Sequence, residues 1–288
     1  MRRGHYIKAG KLGGYSGCIL ESWDIPSFRA HLQEYLTAHQ DFPEPFAKYP
    51  GRAIYSLKSD FGKIYIKHYC IRSIKMMIQT FFHLHKAQKS WRIAQILLAR
   101  GILTPQPISL MNRWTSWHSR EYILITEGIA DSVSLRECGK LLLSEQEKMF
   151  PSTFYNQGIN RIMLKRKLIR SVAEFLANLH LAGIYHGDLT ANNILLECQN
   201  EQWCVYLIDL DSVRSTRRIS DRRRIKNLDE LGRNFLDLKM LSTSDRVRFL
   251  KYYLNIYTGE TRTFHELFYE ILNRTRFRLH KHQQMFIR

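Results

Sequence analysis

Asp188 and Asn193 stand five residues apart in IYHGDLTANNILLE, residues 184–197, between two apolar runs. Asp209 follows at the end of VYLIDLD. NILLE and WCVYLIDL read as two short strands joined by CQNEQ. Such a hairpin brings the polar residues at its ends to one side, so two carboxylates and an amide converge. All-oxygen donors of this kind suit Mg²⁺, a hard cation that retains waters and shares phosphate oxygens. A further Asp can accept a proton from an attacking hydroxyl. Lys67 lies in a strand-like run beside Ile64 and Ile66. A lysine so placed serves as a point charge on phosphate. These are the parts of a phosphoryl-transfer site: a lysine on phosphates, Asp and Asn on metal, an Asp positioning the nucleophile.

The surrounding elements must hold these groups in place. RAIYSLKSDFGKIYIKHY reads as two strands with a glycine-containing turn. KSWRIAQILLARG spaces its apolar residues as a helix, with Gly101 at its end. TPQPISLM is a Pro-marked entry to a strand. REYILITEG is apolar on both faces, which predicts a central strand. Leu164, Leu168, Val172, Phe175, Leu176 and Leu179 form a helical stripe that ends at Gly183. The last ~60 residues continue in helical fashion. The order predicts an α+β chain of two lobes with a hinge near Glu127. The divisions expected are an N-terminal extension at 1–40, a β-rich lobe at 41–127 and a mainly helical lobe at 128–288.

The chain has 288 residues and 44% apolar content, enough for a sizeable core. Its five cysteines include no Cys-x-x-Cys pair, which speaks against a disulfide framework and a zinc site and for a reducing compartment. The basic N-terminus lacks the apolar run of a signal peptide. No stretch approaches the ~18 apolar residues of a membrane-spanning helix. Lys and Arg number 44 against 26 Asp and Glu, for a net charge of +18. That bias points to an anionic partner: nucleic acid, a membrane surface or a phosphorylated substrate. No nucleic-acid recognition motif accompanies it. IRSIKMMIQTFFHLHK, residues 71–86, mixes apolar and basic residues without acids, as an interfacial helix or a helix on the small lobe would. Trp114 and Trp117 are interface anchors or a hairpin tip.

HGDLTANNILL resembles the catalytic loop of the protein-kinase-like fold, LIDLD its metal-binding Asp motif and YIKHY its small-lobe lysine. The closer resemblance, over roughly residues 52–249, is to the lipopolysaccharide kinase family, the Kdo and heptose kinases. It rests also on SWRIAQILLARGILTPQPISL, YILITEGIADSVSLRE and IDLDSVR. The resemblance implies ATP and Mg²⁺ as cofactors, Asp188 as base, Asn193 and Asp209 as metal ligands and Lys67 as the phosphate lysine. It further implies a hinge at Glu127 and Ile129 whose backbone meets adenine, with Ile54 as roof and Leu195 as floor of that pocket. His186 is expected to hold the loop by hydrogen bonds.

The chain departs from the protein-kinase pattern in instructive places. The loop KYPGRAIY offers one glycine, Gly51, and KSWRIAQ offers no acid to pair with Lys67. Gly187 replaces the arginine through which activation-loop phosphorylation acts. No Ala-Pro-Glu segment follows Asp209, so a small or lipid-linked acceptor is expected rather than a protein. Arg214 and Arg217 are candidates to hold an anionic acceptor; a solvated helix face is the alternative.

The function expected is an ATP-dependent kinase acting on an alcohol group of an inner-core Kdo or heptose. Its partners would be the lipopolysaccharide core or a lipid-linked sugar acceptor and an anionic membrane surface, not nucleic acid. Its place would be cytoplasmic, peripheral on the inner face of the bacterial inner membrane. The alternatives are a small-molecule kinase of aminoglycoside or choline type, and a pseudokinase scaffold.

Overall fold

The computed structural model describes residues 5–37, 44–59, 62–72, 85–116, 119–143, 161–199, 202–235 and 241–286. Most of the 71–86 stretch, Trp117, and part of the 59–63 turn lie outside them. The chain divides into two compact units, residues 1–130 and 131–288.

The first unit is built on an antiparallel sheet of β1 (Tyr6–Leu12), β2 (Tyr15–Leu20), β3 (Ala47–Tyr49), β4 (Arg52–Ser59), β5 (Gly62–Ile71), β6 (Pro107–Ser116) and β7 (Ser119–Glu127). The strand order is β1-β2-β6-β7-β5-β4-β3, which puts β7 at the centre, as its two apolar faces predict. Residues 1–40, set apart above as an extension, instead carry β1 and β2 into this same sheet. β2 pairs with β6 from Ser16↔Asn112 to Ile19↔Ser109.

Among the described residues two helices cover the sheet. α1 (Pro26–Thr37) buries Phe28, Leu32 and Leu36 against Ile64, Ile66 and Ile123. α2 (Lys86–Ala99) places Ala87 and Trp91 against Tyr69, Ile71, Tyr122 and Leu124 on the other face. Successive strand residues point to opposite faces, so the two groups alternate along β5 and β7. α2 begins with a reciprocal cap: His85 Nδ1 accepts the N–H of Ala87, and Gln88 accepts the N–H of His85. Gly101 (φ 73°) closes the helix beyond its last turn.

The second unit holds β8 (Val133–Ser134), α3 (Leu135–Leu143), α4 (Arg161–Leu181), β9 (Ile184–His186), β10 (Ile194–Gln199), β11 (Gln202–Leu207), β12 (Val213–Ser215), α5 (Asp221–Arg233), α6 (Thr243–Ile256) and α7 (Phe264–Phe286). α4 buries Leu168, Val172, Leu176 and Leu179 of its predicted stripe and packs on α6 and β11. It ends at Gly183 (φ 70°), where a Cβ would stand 2.1 Å from the Thr216 carbonyl oxygen. Only glycine fits that backbone and that approach. Among the described residues no helix is long and apolar enough to cross a membrane.

Candidate active site

The polar residues of HGDLTANN belong to a short loop between β9 and β10. β9 pairs with β12, with His186 opposite Val213. The Gly187 N–H then donates to the Ser212 carbonyl at 3.3 Å. A Cβ on Gly187 would lie 3.0 Å from that oxygen, so a residue without a side chain precedes Asp188. Asp188 itself is exposed.

His186 is fully buried. Its Nδ1 accepts the Asp188 N–H at 3.2 Å, so its Nε2 carries the proton and donates to the Ile208 carbonyl at 3.3 Å. Burial lowers its pKa, against the opposing pull of the Ile208 carbonyl and the nearby carboxylates, and so favours the neutral ring this pattern requires. The loop is clamped from behind by α5. Asn227 donates through Nδ2 to the His186 carbonyl at 2.6 Å and accepts the His186 N–H at 3.3 Å. Lys226 donates to the Tyr185 hydroxyl at 2.9 Å and the Gly187 carbonyl at 3.3 Å.

Asn193 ends a one-turn 3₁₀ helix, Ala191–Asn193. Its Nδ2 donates to the Asp188 carbonyl at 2.9 Å, which leaves Oδ1 as the end available to a cation. Its own carbonyl accepts the N–H of Ile208 at 2.9 Å, and Ile194 pairs with Leu207. The hairpin of β10 and β11 thus sets Asn193 beside the start of the Asp209 turn, as its sequence predicts. Asp209 is half-buried in a left-handed conformation, φ 54° and ψ 63°. A non-glycine residue there costs on the order of 1 kcal/mol, a strain that recurs at ligand sites. The donors offered by Asp209 and Asn193 Oδ1 are oxygens, which fits a hard cation such as Mg²⁺.

The first unit carries the remaining residues. Lys67 is half-buried in β5, opposite Ile54 on β4 and Leu124 on β7. Directly paired residues share a face, so Lys67 and Ile54 stand together on the α2 side of the sheet. α2 turns Ala87, Ser90, Ala94 and Leu97 inward and has no acid along its length. Glu127 accepts the Trp23 Nε1–H at 3.1 Å through its side chain, and burial raises its pKa. Its backbone N–H donates to the Gln106 carbonyl at 2.9 Å, so its carbonyl is the backbone group to offer a hinge contact; Ile129 follows, half-buried.

Leu195 lies in the second unit, on β10 opposite Tyr206 and Ser134. Arg214 is exposed on β12, and Arg217 is exposed beyond its end. Sequence reading missed Asn227 and Lys226. The available signal was Asn227 at a buried position between Ile225 and Leu228 of an otherwise basic helix.

A family model described as Lipopolysaccharide kinase (Kdo/WaaP) family matches residues 44–253. The lipopolysaccharide core heptose(I) kinase WaaP of Pseudomonas aeruginosa is 25% identical over 171 residues, 58% of this chain. The match spans 59% of that relative's length. Among solved structures, WaaP in complex with acyl carrier protein aligns with a TM-score of 0.59 at 20% identity. That alignment covers 86% of this chain and 95% of the other.

Proposed function

The chain belongs to the lipopolysaccharide kinase (Kdo/WaaP) family, and on that premise we propose that it transfers a phosphoryl group from ATP to a hydroxyl of an inner-core Kdo or heptose. The observation that carries the reading is the hydrogen-bonded frame of Asp188, Asn193 and His186, which orders a base and a metal ligand on one loop. In this reading Asp188 accepts the proton of the attacking hydroxyl. Asn193 and Asp209 would hold Mg²⁺, which when bound offsets charge on the phosphates. Lys67 provides a fixed cation for the donor phosphates. In the first unit Ile54, the Glu127 carbonyl and the backbone of Ile129 are the groups offered to adenine, and in the second unit Leu195 is. Arg214 and Arg217 are free to turn toward phosphate or carboxylate groups of the acceptor, which a guanidinium grips with two donors.

The net charge of +18 and the exposed Trp114 suit work at the anionic inner face of the bacterial inner membrane. Because a WaaP structure contains acyl carrier protein, such a carrier is also a candidate partner here. A second reading, a pseudokinase scaffold, draws on the absence of an acid along α2.

The deciding experiment supplies ATP, Mg²⁺ and purified lipid A–core acceptors of defined sugar content, beside Asp188→Ala. Phosphate transfer to one acceptor, lost in the variant, establishes the kinase and names its sugar. Nucleotide or acceptor binding without transfer to any acceptor turns the assignment to the scaffold.

A further inference from the structure

Away from the nucleotide-handling residues, on the α1 side of the sheet, three side chains of different chemistry meet. His68 and Cys70 are two apart on β5 and so point the same way, and Cys70 is paired directly with Glu121 on β7. The His68 Nε2 lies 3.7 Å from the Cys70 Sγ and 3.8 Å from the Glu121 Oε2. Donor atoms of all three fall within 4.8 Å of one another. A tetrahedral zinc ion, with bonds of about 2.3 Å to sulfur and about 2.0–2.2 Å to nitrogen or oxygen, spaces its donors about 3.4–3.6 Å apart. The three atoms need to move only a few tenths of an ångström to about one ångström to meet that spacing.

We propose that His68, Cys70 and Glu121 form a zinc site with a fourth, exchangeable position. Nitrogen, thiolate and a single carboxylate are a borderline-soft donor set, which selects zinc over the hard cations of the catalytic loop. Glu121 is held in place at the site. Its Oε2, the oxygen nearest the His68 ring, accepts the Tyr15 hydroxyl at 2.6 Å and the Arg113 Nε at 2.9 Å. Ligating carboxylates are held by just such outer partners. The side chains of His68 and Glu121 are only 14% and 15% exposed, so water competes weakly for their lone pairs.

The site borders a cavity of about 730 Å³ that Lys48, Arg52 and Arg72 also line. Those cations suit an anion or hydroxide as fourth ligand. Binding releases the thiol proton to solvent. The sequence shows one cysteine in a lone His-x-Cys; the carboxylate that completes the set comes from fifty residues on, across a strand pair.

The test titrates the full, metal-free chain with Co²⁺ as a spectroscopic stand-in for Zn²⁺. One equivalent should bring a thiolate-to-cobalt charge-transfer absorption together with the visible bands of four-coordinate cobalt. Cys70→Ser should abolish the charge-transfer band, and Glu121→Gln should weaken binding about tenfold or more. Asp209→Asn should leave the band intact. No band in the wild-type chain, or a band that persists in Cys70→Ser, overturns the proposal.

A measurement without variants guards against misfolding. Zn²⁺ should slow alkylation of Cys70 in the native chain at least several-fold relative to Cys204. Equal rates with and without Zn²⁺ also overturn it.

Discussion

The His186 ring accepts the backbone N–H of Asp188 at Nδ1, 3.2 Å away, and so holds the candidate base through the main chain rather than by its carboxylate. Its other nitrogen reaches the Ile208 carbonyl, one residue before Asp209. One buried imidazole thereby couples the loop of the candidate base to the turn of the candidate metal ligand. Replacing His186 with Ala should lower kcat about 10- to 100-fold, the scale seen when an orienting partner is lost. The KM for ATP should change little. A KM rise with kcat intact would assign His186 to nucleotide binding instead.

Asp188 and Asp209 are assigned separable roles. Asp188→Asn should cut turnover by roughly 10²–10⁴, the usual share of a positioned base, with nucleotide binding retained. Asp209→Asn should raise the Mg²⁺ concentration needed for half-maximal activity. Calorimetry of ATP binding beside a Mg²⁺ titration separates the two, and matching defects in both assays would contradict the assignment.

Arg214 and Arg217 stand exposed where β12 leaves the site loop. Exchange of both for Gln should raise the acceptor KM while leaving the KM for ATP unchanged. An unchanged acceptor KM makes them part of a solvated surface and removes them from the site.

His180 is buried in α4, bonded to the Tyr253 hydroxyl at 2.8 Å and 3.4 Å from Asn227 Oδ1. Burial, with a smaller push from the Arg224 charge, drives its pKa down to about 3. The unfolded chain, with an ordinary histidine pKa near ~6.5, therefore binds the proton first as pH falls. Native stability should decline from about pH 6.5 toward pH 3, and His180→Gln should flatten that part of the profile. Urea midpoints measured across this range supply the check; identical slopes in both proteins would refute it.

Arg224 on α5 is fully buried and pairs with Glu260, with the Tyr257 ring 4.7 Å from its guanidinium carbon. Removing only the carboxylate, as in Glu260→Ala, leaves Arg224 with the half-solvated Asp221 at 3.3 Å and should destabilise the fold by about 1–3 kcal/mol. The double variant Arg224→Met, Glu260→Leu should recover most of the loss in chemical denaturation. A single variant as stable as wild type would mean that the charge finds water or another partner.

What the sequence determined by itself is the local chemistry. The five-residue step from Asp188 to Asn193 could be read because one short loop must carry both, with the Asn amide bonding back to the Asp carbonyl. The central place of β7 and the stripe of α4 were legible because burial on two faces, or on one helical stripe, is written in neighbouring residues.

Tertiary structure decided what depends on contacts between distant segments. Nothing near residues 6–20 announces that β2 will pair with β6, because a sheet edge accepts any strand of suitable pattern. Asn227 becomes the clamp on His186 only when α5 packs behind β9. Asp209 takes up its left-handed backbone only because the turn around it is held from both sides. Cys70 and His68 gain Glu121 as a neighbour only through strand register. A loop motif is read locally because its hydrogen bonds close within a few residues. A clamp, a sheet edge or a mixed ligand set requires chain segments far apart in sequence to be brought within bonding distance, and only the packed core does that.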